Sequence, residues 1–189
     1  LVALARQKGL FAIDDLGSGF LCDERIAGLE HEPRVSQSLA AGAAVVCFSG
    51  DKLLGGPQCG ILLGDKDRVA AMRAHPLYRA LRCDKLTLAA LEATLRVYRD
   101  GDPMREVPTL RLLSATPAEL ERTAEQLASL LPAGTARVVA SESFAGSGAN
   151  PARPLPSFAT ALRGGDELAA RLRASEPLAV FARVHDGHV

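Results

Sequence analysis

The 22 basic and 22 acidic side chains of this 189-residue chain cancel, and none of them gather into the basic stripe that grips a phosphate backbone. Hydrophobic residues make up 48%, enough to bury the core of one large domain or of one and a half. No apolar run approaches the roughly 20 residues of a membrane span and no basic-then-apolar leader opens the chain, which points to a cytoplasmic protein. The cysteines (Cys22, Cys47, Cys59, Cys83) lack C-x-x-C spacing, and the histidines (His31, His75, His185, His188) form no helical H-x-x-x-H pair. Neither a disulfide framework nor a zinc site is expected.

In chain order, "LVALARQKG" reads as helix and leads into the strand-like "LFAIDD". "SQSLAAGAAVVCFSG" passes from helix into a β-branched strand, and "QCGILLGD" is a third apolar strand. Apolar strands separated by helices predict an α/β class with a sheet covered on both sides. "DKDRVAAMRAH" predicts a short helix, and "DKLTLAALEATLRVYRDG" a longer one with Asp84 as N-cap and Gly101 just past its end. Composition shifts around Pro103 to Pro108. Thr116, Pro117 and Glu119 then have the spacing of a capping box, which opens a new helix and a second domain. There follow the strand "ARVVASES", the loop "FAGSGANPARPLP", the strand "SFATALRG", a helix from Asp166 to Ser175, and the strand "LAVFARV". An Asp186-Gly187 turn comes last, with no return strand after it. The reading is of two domains, 1–115 and 116–189, in a piece of a longer protein.

The stretch "VVCFSGDKLLGGPQCG", residues 45 to 60, places Lys52 between an apolar strand and a Gly-Gly-Pro turn in a chain otherwise rich in arginine. A primary amine can attack a carbonyl and then carry a proton, which a guanidinium cannot do. Ser49, three residues earlier, gives S-x-x-K at a strand exit, where a hydroxyl can hold a phosphate while the amine reaches an aldehyde. Gly55, Gly56 and Pro57 allow backbone to pass close to a flat ligand. Upstream, "IDDLGSG" ends a strand with Asp14 and Asp15. A carboxylate there can pair with the protonated ring nitrogen of pyridoxal phosphate and keep the ring an electron sink. Between Asp15 and Lys52 there is room for a helix and a strand that bring both strand ends to one sheet edge. Plainer readings stand beside these. The lysine can be solvated and the acids can be caps. Arg79 and Arg82, three apart in "HPLYRALRCDK", can form a solvated helix face or an anion clamp. The cysteines read as core residues.

Taken together, "DDLGSG", "FSGDKLLGGPQCGILLGDKD", "HPLYRALRCDKLTLAALEATLRVY" and "VPTLRLLS" closely resemble the bacterial L-seryl-tRNA(Sec) selenium transferases, the selenocysteine synthases. The resemblance covers most of residues 10 to 115, and "GSGANPARPLPSFA" resembles the Gly-rich loop and Leu-Pro-Ser strand of that family's C-terminal domain. It implies a fold type I pyridoxal-phosphate enzyme. Residues 1–115 would be the C-terminal part of the large domain, with its mixed sheet and flanking helices, and 116–189 most of a smaller α+β domain. It further implies that Lys52 is the Schiff-base lysine, that Asp15, or else Asp14, meets the pyridine nitrogen, and that Ser49 lies near the phosphate. Asp51, Arg79 and Arg82 would stand at the substrate end. The implied reaction converts seryl-tRNA(Sec) to selenocysteyl-tRNA(Sec) through an aminoacrylyl ester. Selenium comes from selenophosphate, whose phosphate the two arginines would hold. The family assembles as a ring of dimers and contacts tRNA mainly through an N-terminal domain outside these residues, so the piece alone is expected to be inactive. Two other readings keep the same residues: a related lyase acting on a small amino acid or phosphorylated amino sugar, and an inactive fragment with an assembly role.

Overall fold

The computed structural model describes residues 1–23, 26, 28–146 and 154–189. It divides into two compact units, one of Leu1–Ser114 with Ala145 and Gly146, the other of Ala115–Phe144 and Pro154–Val189.

In the first unit, α1 (Val2–Gln7) precedes β1 (Ile13–Gly17), and α2 (Val35–Ala40) leads into β2 (Val45–Ser49) and β3 (Gly60–Gly64). The sheet order is β1-β2-β3, with β1 parallel and β3 antiparallel to β2. The β-branched and aromatic residues of β2 favour this pleated, half-buried position, and Val45, Val46 and Phe48 are buried. Val46 and Phe48 pack with Val35 and Leu54, and Leu16, Ile61, Leu91 and Tyr98 close around them. Leu54 is fully buried, so its truncation to alanine would cost about 2–5 kcal/mol. The expectation of a sheet covered on both faces is not met. Leu62 and Leu63 of β3 are exposed, because among the described residues β3 is an edge strand with helical cover on only part of its surface.

The helices follow from local signals. Asp65 caps α3 (Lys66–Ala74) by accepting from the Asp67 and Arg68 amides, and His75 caps α4 (Pro76–Leu81) through Nδ1. Asp84 caps α5 (Lys85–Asp100) by accepting from the Thr87 amide at 2.8 Å, and Gly101 closes the other end onto the Val97 carbonyl. On α5, Leu91 and Tyr98 stand two turns apart and face the core, whereas Leu88 and Leu95 are exposed. The compositional shift near Pro103 resolves into two short helices with proline in their first turns, α6 (Pro103–Glu106) and α7 (Pro108–Leu113). Val107 and Leu110 belong to a second core cluster with Phe20, Cys22, Ile26, Leu29 and Leu53.

The second unit comprises α8 (Pro117–Ser129), β4 (Ala136–Ser143), β5 (Leu155–Leu162) and α9 (Gly165–Arg173). The capping box at α8 is formed. The Glu119 amide donates to Thr116 Oγ1, and the Thr116 amide to Glu119 Oε2. β4 and β5 run antiparallel from Ala136↔Leu162 to Ser143↔Leu155, and Thr160 Oγ1 donates to the Ala124 carbonyl, pinning α8 to β5. Most of the Gly-rich loop, residues 147–153, lies outside the described residues. The strand expected from "LAVFARV" does not form. Its apolar side chains suit a strand, but residues 178–184 have no ladder partner among the described residues, and Leu178 and Phe181 are exposed. The Asp186-Gly187 turn does form. Both residues have positive φ, and His185 and His188 exchange backbone hydrogen bonds across it.

Candidate active site

Lys52 occupies the turn after β2. The turn is built from backbone contacts: the Gly55 amide donates to the Lys52 carbonyl at 3.0 Å, Gly56 to Gly50 at 2.8 Å, and Gly50 to Cys59 at 2.9 Å. A Cβ on Gly50 would stand 2.6 Å from both Cys59 Sγ and the Pro57 carbonyl oxygen, so only glycine fits there. The half-buried Lys52 side chain reaches back to the end of β1, where a Cβ on Gly17 would lie 3.7 Å from Nζ. Among the described residues the ammonium has no ion pair. The Leu53 amide donates to the Ser18 carbonyl at 2.9 Å, which joins the two loops.

β1 presents its two acids differently. Asp15 pairs with Cys47 and Asp14 with Val46, so alternation puts Asp15 on the face of Cys47 and Ser49, and Asp14 on the face of the buried Val46. Asp15 is exposed and Asp14 half-buried. The ladder is bulged between Asp15 and Gly17, a deviation that re-aims a strand end. Burial pushes the Cys47 thiol up, and the Asp15 carboxylate beside it adds to the shift. The same holds at Cys59, where burial comes first and Cys83 and Asp51 follow. Neither shift favours a thiolate nucleophile. Among the described residues no group of histidines, cysteines and acids could hold a metal ion.

The remaining residues singled out in the sequence are dispersed. Ser49 ends β2 with its hydroxyl free of hydrogen bonds among the described residues, and Asp51 is exposed on the turn. Arg79 lies on α4 and Arg82 is its C-cap with extended backbone, so the two do not share a helical face. Both are exposed, and no hydrogen bond or ion pair joins either to Lys52, Asp15 or Ser49. Three further residues shape the turn and its neighbours, two of them, Ser18 and Gly19, within the "IDDLGSG" stretch already noted. Gly19 has φ +69°, and a Cβ there would stand 2.8 Å from both the Phe48 ring and the Ser49 carbonyl oxygen. The Ser18 hydroxyl is wholly buried without a partner among the described residues. The third is Tyr98, whose hydroxyl donates to the Leu54 carbonyl at 2.9 Å.

The Lys52 amine stands beside Gly17 at the end of β1, the strand that carries Asp15, and Ser49 ends the parallel neighbour β2. Residues 1–189 match the family model described as SelA, L-seryl-tRNA selenium transferase. The chain is 49% identical to the L-seryl-tRNA(Sec) selenium transferase of Moorella thermoacetica over 98% of the chain and 42% of that relative. Identity is 48% to that of Solidesulfovibrio magneticus, with the same coverage, and 46% to that of Klebsiella pneumoniae subsp. pneumoniae over 100% of the chain and 43% of the relative. The chain therefore spans less than half the length of these curated relatives. A solved structure of D-glucosaminate-6-phosphate ammonia-lyase aligns with a TM-score of 0.58 and 23% identity, covering 99% of this chain and 45% of the other, a likeness of fold. With the family model matched from the first residue to the last, this chain belongs to the L-seryl-tRNA selenium transferase family.

Proposed function

We propose that the full-length protein converts seryl-tRNA(Sec) to selenocysteyl-tRNA(Sec) with selenophosphate as donor, using pyridoxal phosphate on a fold type I scaffold, and that this chain supplies its cofactor lysine. The observation that carries the reading is the position of the Lys52 amine beside Gly17, at the exit of the strand that bears Asp15. Family membership supports the substrate, and the residue chemistry supports the cofactor.

Bound pyridoxal phosphate supplies an aldehyde for amines and a ring that accepts electron density from the carbon next to the amine. Lys52 would hold the cofactor through Nζ and, when free, would take the α-proton on the same atom. Asp15 would hold a proton at the ring nitrogen, a role suited to its face of the sheet beside Ser49. Ser49 would donate from its hydroxyl to the cofactor phosphate. Arg79 and Arg82, without ion pairs among the described residues, offer guanidinium groups to the phosphate of the donor. Asp51, next to Lys52 on the exposed turn, would stand at the substrate end of the site.

The test is direct. Full-length protein with pyridoxal phosphate, seryl-tRNA(Sec) and selenophosphate should release selenium-bearing aminoacyl-tRNA. Turnover of free small amino acids or phosphorylated amino sugars, without any change in the tRNA ester, would replace this reading with that of a lyase.

A further inference from the structure

Behind the Lys52 turn stands α5, whose Tyr98 bonds the turn. Tyr98 is half-buried and packs against both core clusters of the first unit. Its hydroxyl lies 2.9 Å from the Leu54 carbonyl and 3.4 Å from the Leu53 carbonyl, the two residues that follow Lys52. One turn earlier on the helix, Thr94 closes against the same segment. A Cβ on Gly56 would stand 3.4 Å from Thr94 Oγ1 and 3.5 Å from its Cγ2. On the opposite side the Leu53 amide is held by Ser18. The turn is thus clamped between the β1 exit loop and α5.

Packing alone does not require the hydroxyl. Phenylalanine would fill the same volume, and burying a phenol costs free energy unless it is bonded. The bond it makes is to backbone carbonyls outside any helix or strand ladder, groups that also cost free energy when buried without partners. We propose that Tyr98 is a positioning residue for Lys52, acting through the Leu53 and Leu54 carbonyls to hold the amine beside Gly17. This rests on the reading of Lys52 as the cofactor lysine. Burial, and then the neighbouring Cys22 thiol, push the phenol well above its usual value, so it stays a donor across any working pH.

The experiment compares wild-type and Tyr98→Phe full-length protein, each stripped of cofactor and then treated with pyridoxal phosphate and cyanoborohydride. Mass spectrometry follows labelling at Lys52 and at the exposed Lys66. Labelling of Lys52 should slow about tenfold in Tyr98→Phe, the loss of one well-placed hydrogen bond, with labelling of Lys66 and the circular dichroism unchanged. Equal Lys52 rates in the two proteins would overturn the proposal. So would a Tyr98→Phe protein that loses its circular dichroism, since the hydroxyl would then hold the fold as a whole. Absence of Lys52 label in the wild type counts instead against the cofactor reading itself, so the two failures are distinct.

Discussion

The Leu53 amide donates to the Ser18 carbonyl at 2.9 Å, which ties the turn carrying Lys52 to the loop that leaves the strand carrying Asp15. One backbone bond thus links the two loops, and disturbance of either should reach the other.

Gly19 tests that linkage. Its φ of +69° and the 2.8 Å approach of the Phe48 ring and the Ser49 carbonyl leave no space for a methyl group. Gly19→Ala should destabilise the full-length protein by about 2–4 kcal/mol, from left-handed strain plus overpacking, seen as a lower urea midpoint. A midpoint equal to that of the wild type would contradict the geometry.

Asp15 and Asp14 are neighbours in sequence on opposite faces of β1. In the full-length enzyme, Asp15→Ala should slow exchange of the α-proton much more than it weakens binding of the seryl ester, since pairing with the ring matters most as charge develops. Asp14→Ala should be milder. The reverse order would reassign the ring partner.

Arg82→Ala should raise the selenophosphate concentration needed for half-maximal rate by about tenfold or more, the scale of a lost charge-assisted hydrogen bond, with cofactor absorbance unchanged. An unaltered donor dependence would return the arginine to solvent.

Alkaline pH should weaken the first unit through Tyr98, whose phenol burial pushes up. Below the ordinary tyrosine value of about 10 both folded and unfolded chains keep the proton, and the full contribution to stability is present. Above it the unfolded chain releases the proton first, so stability falls as pH rises toward the folded value. Urea unfolding from about pH 9 to about pH 11 should show this decline in the wild type and a shallower one in Tyr98→Phe. Parallel curves for the two proteins would show that Tyr98 is not buried as described.

What was legible in the sequence was local. The caps at Asp84 and Thr116 form as expected because their partners, Thr87 and Glu119, lie three residues away. Lys52 was singled out by its chemistry and by a run of residues shared with a known family, and the structure adds its position on the turn after β2, beside Gly17. Tyr98 was not, since its acceptors lie 44 and 45 residues away in sequence and its own helix is apolar enough to explain it as core. "LAVFARV" misled for the converse reason: an apolar run marks side chains that suit a strand, but the ladder needs a neighbouring edge that no local pattern reports. The separation of Asp14 from Asp15 likewise needed the register with β2.

If Lys52 bonds the cofactor's aldehyde, no other side chain can replace it at position 52. Full-length protein incubated with pyridoxal phosphate and reduced with borohydride should carry the label on a single peptide that includes Ser49 to Pro57. Lys52→Arg should abolish that label while keeping the charge, because a guanidinium does not condense with an aldehyde. Stoichiometric label on Lys8, Lys66 or Lys85, with Lys52 unmodified, would contradict the account.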